Sequence, residues 1–163
     1  MASIRRAVDE TRAYTDRIDI PENRPQSLLR RKSIVHILDH VMRLVHRDTQ
    51  SQRIELILDD SKLDPLSSEL LSLIDALLTS PEASRIEPKL DELRRNMRDQ
   101  LHLIRADTIS MTASRRLASA QALIRLDAVR WLHRVAYHLW RISVHLPELK
   151  REPEASQTPA KEG

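Results

Sequence analysis

Cysteine and phenylalanine are absent, and glycine occurs once, as the terminal Gly163. Without thiols the chain builds neither a disulfide framework nor a thiolate zinc site, and a reducing compartment is its natural setting. Without internal glycine it lacks the residue that tight hairpins, phosphate loops and dinucleotide-binding turns use for positive φ. Hairpin-rich β folds and nucleotide-binding α/β folds are therefore disfavoured. Long apolar runs are missing too. The richest, "LLSLIDALL" at 70–78, carries Asp75 and falls far short of the roughly 20 residues that cross a bilayer, so no transmembrane segment is expected. The opening "MASIRRAVDE" has no apolar stretch after its basic residues and no cleavage site, so it does not read as a secretory signal and a cytoplasmic location follows.

What is present fits one domain: 163 residues, 40% of them hydrophobic. Leu, Ala, Arg, Glu, Asp and Ser dominate, and the apolar positions recur every three to four residues. The sequence predicts an all-α protein, an antiparallel bundle of about five to six helices. A first helix over 2–18 ends at "IDIPENRP". A second runs from Pro25 to about Asp48, with Leu28, Ile34, Val35, Leu38, Val41, Met42 and Val45 on its apolar face and His36, His40, Arg43 and Arg47 opposite. "QSQRIELILDD" either extends that helix or forms a short one. Asp64-Pro65 signals the start of a helix over 65–79. Ser80-Pro81 and Glu87-Pro88 repeat the signal, which makes 81–87 a connector and starts a long helix near Pro88. There Leu90, Met97, Leu101, Ile104, Thr108 and Met111 form a heptad-like seam suited to a bundle or a coiled coil. A last helix over 117–146 ends at Pro147. The domain spans 1–147, and the polar 148–163 reads as a disordered tail.

Although aromatic residues make up only 2% of the chain, both Trp and one of two Tyr lie in "RWLHRVAYHLWRI", residues 130–142. Projected at 100° per residue, Leu117, Ile124, Ala128, Trp131, Leu132, Val135, Leu139, Ile142 and Leu146 form a wide apolar arc. Asp127, Arg130, Arg134, His138, Arg141 and His145 share the remaining strip, with Tyr137 and Trp140 at its borders. The strip reads either as a solvated helix face or as a site for an anion or an acidic partner. Guanidinium groups on adjacent turns repel one another unless something negative lies against them. Arg130, Arg134, His138, Arg141 and His145 are the candidate binding residues, with phosphate or an acidic helix as ligand. A formal net charge of +3 gives little field for nucleic acid, which is not expected as a partner.

In "HILDH", His36 and His40 stand four residues apart with Asp39 beside them, a spacing that lets two imidazoles and a carboxylate hold a divalent metal. The same spacing fits a surface pair without metal. The chain has no H-E-x-x-H, no E-x-x-H, no G-x-S-x-G and no Cys nucleophile, so the sequence offers no catalytic constellation.

Residues 36–44, "HILDHVMRL", align with 134–142, "RVAYHLWRI", so that His40 matches His138, Arg43 matches Arg141 and Leu44 matches Ile142. This faint repeat suggests a pseudosymmetric bundle of two antiparallel three-helix units. "LDAVRWLHRVAYHLWRISVHL" resembles the last-helix signature L-E-R-I-G-D-H-x-x-N-I of PhoU-like proteins, in particular of the cytosolic PhoU-like domain of bacterial sodium/phosphate cotransporter-family proteins. Leu132, Arg134, His138 and Ile142 match; His133, Tyr137 and Arg141 stand where the family has Glu, Asp and Asn. In the first half Asp39 and His40 match its Asp-His pair. The resemblance implies a PhoU-like bundle, a non-enzymatic regulatory role linked to phosphate transport, and a place at the inner face of the cell membrane beside a membrane transporter domain. It also implies a homo-oligomer, with any metal left to His36, Asp39 and His40. The alternative is a structural module that dimerises through the seam of 90–111 and binds an acidic protein.

Overall fold

The computed structural model describes residues 2–21, 23–48, 52–79 and 83–150. Among the described residues there are six helices and no strand: α1 (Ala2–Arg17), α2 (Pro25–Asp48), α3 (Gln52–Asp59), α4 (Asp64–Thr79), α5 (Ala83–Ala113) and α6 (Ser119–Lys150). The open boundary after Asp48 resolves as a separate short helix. None of these helices is long and apolar enough to cross a membrane.

Helix α6 is the axis of the molecule. It packs on α5, α2, α3 and α4, whereas α2 packs only on α1 and α6. The apolar cluster lies on one side of this axis. Ile57, Leu63, Leu66, Leu70, Leu73, Ile86, Leu90, Leu93, Met97 and Ile104 close on Ala128, Val129, Leu132 and Ala136 of α6, and no residue of α1 or α2 belongs to it. Leu90 and Ala128 are fully buried. The fully buried Ala128 and Ala136 of α6 are small enough to let the neighbouring helices approach closely. The seam that the heptad spacing offers to a second copy is thus filled by α6 of the same chain.

A single arginine pins the corner where α3, α4, α5 and α6 meet. Arg125 donates from Nε to Asp60 Oδ2 at 2.7 Å and from Nη1 to Asp107 Oδ2 at 3.3 Å and Thr108 Oγ1 at 3.2 Å. Asp60 also accepts from the Lys62 amide at 2.9 Å, closing the α3–α4 turn, while Lys62 Nζ reaches Asp107 at 3.0 Å. The α5–α6 turn is made by Ser114–Ala118, with Arg115 in the left-handed region at φ 58°. There the amides of Arg116 and Leu117 both bond the Met111 carbonyl, at 2.8 and 3.2 Å, and stand in for the glycine that usually ends such a helix.

Both proline boundaries differ from the sequence expectation. α5 begins at Ala83, with Pro88 inside it; buried Ile86 and the bond from Trp140 Nε1 to Glu87 Oε1, 2.9 Å, hold its first turns on α6. α6 continues through Pro147 to Lys150, because Arg30 of α2 donates to the Leu149 carbonyl at 2.8 Å and fixes the last turn. The Ser80-Pro81 signal and residues 151–163 of the expected tail lie outside the described residues. Three side chains assigned to apolar faces are exposed: Leu28 and Val35 of α2 and Ile124 of α6, at 40%, 50% and 51%.

Replacing Arg125 by alanine leaves the Asp60 carboxylate, with a side chain only 11% exposed, without its cation. The expected cost is about 3 kcal/mol, the lower end for removing one partner of a buried pair, read as a shift of the urea midpoint at pH 7.

Candidate functional site

The helical strip assigned to solvent on α2 and the basic strip of α6 face each other. They run antiparallel, and their contacts step along both helices: Arg30 with Leu149, Ser33 and His36 with His145, His40 with His138, and Arg47 with Trp131. His138 and His145 therefore do not lie on an open face, because α2 covers them. Arg130 and Arg134, one and two turns further back along α6, do remain exposed.

At the centre His40 Nδ1 and His138 Nδ1 lie 3.0 Å apart, with both residues buried, at 8% and 6% exposure. One ring nitrogen must donate and the other accept, so the contact requires at least one neutral imidazole with a bare Nδ1. Tyr137 meets the two rings edge-on, at centroid distances of 6.1 Å to His40 and 5.4 Å to His138. Further along, His36 stacks on His145 at 4.7 Å. Arg141 Nη2 lies 3.4 Å from His145 Nε2; a guanidinium only donates, so Nε2 accepts and the proton of His145 sits on Nδ1, facing Ser33 Oγ at 3.5 Å.

These contacts carry an approximate two-fold relation about the His40–His138 contact. Counting seven residues towards the N-terminus from each histidine gives Ser33 and Trp131, and seven towards the C-terminus gives Arg47 and His145. Ser33 bonds His145, and Trp131 Nε1 donates to the Arg47 carbonyl at 3.2 Å. The residues that the repeat aligns, His40 and His138, are the pair that touches. The relation joins α2 to α6, and α1 packs on α2 as α5 packs on α6. Two hairpins, α1–α2 and α5–α6, are thus opposed, rather than two consecutive three-helix units.

Electrostatics keep the joint neutral. Burial pushes the His138 pKa down to about 4, helped by His40, Arg47 and Arg43. Burial likewise lowers His40 and His145, with Arg141 adding to both. Asp39, the adjacent acid, is half exposed and accepts from Arg43 Nε at 2.9 Å, which holds its carboxyl below the usual range. The three side chains offered by "HILDH" are therefore parted: His36 goes to His145, His40 to His138 and Asp39 to Arg43. Among the described residues no three His, Asp or Glu side chains are grouped to hold a metal.

Arginine is distributed unevenly. Arg53 bonds Asp127 at 2.6 Å, Arg94 and Arg95 share Asp91, and Arg125 has two carboxylates. At the Arg47 end of the α2–α6 contact, Arg47 is part-buried with an Nε that has no partner among the described residues, and burial followed by Arg134, Arg53 and Arg43 lowers its pKa. Burial, followed by Arg94, Arg98 and Arg134, lowers His133, whose buried Nε2 also lacks a partner among the described residues. Cations outnumber acids on this face.

Comparisons with family models, with curated proteins and with solved structures find no match to this chain.

The role of the aromatic cluster becomes visible in this geometry. Trp131 ties α6 to α2 through the Arg47 carbonyl, and Trp140 ties it to α5 through Glu87 while Arg94 lies over its ring at 4.5 Å. Helix projection placed Trp131 in the apolar arc and Trp140 at the border of the strip, but gave no sign that a second polar helix would cover the strip. The repeat was the available signal, since it paired His40 with His138.

His40→Ala and His138→Ala each leave one buried imidazole without its partner, at an expected cost of about 1–3 kcal/mol at pH 7. The double variant should cost less than the sum of the two by at least about 0.5 kcal/mol, which a double-mutant cycle by chemical denaturation measures.

Proposed function

We propose that the chain is a non-enzymatic regulatory module that docks an acidic partner through the face made by Arg130 and Arg134 of α6 and Arg47 of α2. What supports this reading is the surplus of positive charge there. Arg53, Arg94 and Arg125, all part-buried, are paired with carboxylates, yet on this face Arg47 and Arg134 repel one another and, among the described residues, the Arg47 Nε has no partner. Such an arrangement is costly in isolation and favourable against carboxylates or phosphates, which accept two hydrogen bonds from each guanidinium. Arg141 and the two histidines serve the joint with α2 instead, so the docking face is narrower than the strip of α6 implied. The likeness of 130–142 to the PhoU-like last helix nominates the membrane domain of a phosphate transporter, at the inner face of the cell membrane, as the acidic partner.

The experiment is a titration of the full chain with an oligoglutamate peptide at two salt concentrations. Arg130→Ser with Arg134→Ser should weaken binding at least tenfold and flatten its salt dependence, whereas Lys89→Ser with Arg105→Ser, which removes equal charge from exposed positions on α5, should change it less than twofold. Equal losses in the two variants would reduce the effect to net charge and end the docking reading. Phosphate uptake by cells carrying the Arg130 and Arg134 substitutions tests the transport assignment separately, and unchanged uptake removes it.

A further inference from the structure

The α1–α2 hairpin is attached to the rest of the molecule in an unusual way. No residue of it enters the apolar cluster, and α2 meets the body of the protein only along α6. Along that line the polar and ring contacts are Arg30 on a carbonyl, Ser33 and His36 on His145, His40 on His138, and Trp131 on the Arg47 carbonyl, and Val45 is the buried hydrophobic residue of α2. The buried pair at the centre is thus made of two imidazoles, groups that ordinarily titrate near neutral pH and that burial here shifts lower.

We propose that the His40–His138 contact is a proton-operated latch, which holds the α1–α2 hairpin on α6 while both imidazoles are neutral and releases it when the pair is protonated. The bond itself sets the limit. A first proton can be shared along the Nδ1–Nδ1 line, but a second puts N–H against N–H at 3.0 Å and the contact is lost. Charge opposes even the first proton. From α2 the pair is faced by His36, Asp39, Arg43 and Arg47, and from α6 by Tyr137, Arg141 and His145. Lys32 adds to the positive field at His145. Arg12 and Asp16 of α1 line the same hollow as His36 and Asp39. Helix α3 presents Arg53, already held by Asp127 of α6, and α5 presents Arg94 and Arg98 to the neighbouring His133. The acids in this set are Asp16, Asp39 and Asp127, and the last two are engaged by arginines. Among the described residues no carboxylate is hydrogen-bonded to the imidazole pair; Asp39 nearby favours the protonated form, but burial and the surrounding cations outweigh it.

The direction follows from the lowered pKa. His138 titrates at about 4 in the closed state against an ordinary value of 6.5, so its contribution to closure is complete above pH 6.5 and is lost as the pH falls towards 4. His40 and His145 are lowered too and add in the same direction. The body of the protein is held by apolar packing and by the Arg125 carboxylate pairs, which contain no histidine. Acid should therefore free one hairpin before it unfolds the remainder.

Two native tryptophans report on the two sides of α6. The indole of Trp131 bonds α2 across the latch, and that of Trp140 bonds Glu87 within the α5–α6 hairpin. The test follows both indole N–H signals and the imidazole nitrogens of the full chain by NMR from pH 7.5 to 3.5. The expected result is that Trp131 exchange, corrected for its intrinsic pH dependence, rises at least tenfold as His40 and His138 protonate, while Trp140 and the helical circular dichroism hold. His40→Leu with His138→Leu should abolish the rise. Loss of both indole bonds together would mean ordinary acid unfolding and overturn the latch. It is equally overturned if Trp131 stays protected, or if it opens while both imidazoles remain neutral. Should the double variant not fold, the coincidence of the Trp131 and imidazole titrations in the unmodified chain decides the question.

Discussion

Helix α6 has to satisfy two different neighbours with one sequence, an apolar one in α5 and a polar one in α2, and the rest of the molecule is arranged around that division. Towards α5 it presents Ala128, Leu132 and Ala136, and the long side chains Leu90, Leu93 and Met97 close over them. Towards α2 it presents His138, Arg141 and His145, and the facing helix answers with His40, His36 and Ser33. The aromatic side chains mark the frontier between these surfaces, each with an apolar body in the interface and a polar atom bonded to a different neighbouring helix.

That division explains which parts of the architecture were legible in advance. The all-helical class follows from the lack of internal glycine and the 3.6-residue period, and α1, α2 and α4 begin and end within a residue of where Pro25, Asp64-Pro65 and the break at Ile20-Pro21 place them. The two long helices were harder. Pro88 and Pro147 each carry the local signal of a boundary, and each is overridden by a contact from another helix: Trp140 on Glu87 and Arg30 on Leu149. Local preference is a weak prior wherever tertiary bonds hold the turn.

The site was legible by residue and misread by surroundings. His36, His40, His138, Arg141 and His145 stand out as a periodic polar strip in either helix alone, and a polar strip on one helix ordinarily faces water. What a single helix does not reveal is that two such strips are complementary. Neutral imidazoles supply both a donor and an acceptor, so histidine can pair with histidine across an interface where arginine cannot pair with arginine. The chain sorts its strips accordingly: histidines occupy the closed stretch of the α2–α6 contact, and Arg47, Arg130 and Arg134 occupy the end that stays open.

Stability is therefore distributed unequally between two hairpins that share one geometric relation. The α5–α6 hairpin is secured mainly by close apolar packing, with His133 as the histidine set beside Arg94 and Arg98 of α5. The α1–α2 hairpin buries Val8 and Val45, but its contact with α6 also relies on hydrogen bonds and stacked rings that depend on protonation, and Leu29 and Val35 of α2 stay about half exposed, at 51% and 50%. A unit with few buried apolar contacts and with part of its apolar face uncovered belongs to the low-stability end of a fold, from which moving elements are drawn. Because Arg47 takes part both in the contact with Trp131 and in the arginine face beside Arg134, displacement of α2 would carry one of the three docking arginines away from the other two. Attachment of the hairpin and completeness of the basic face are then the same structural event.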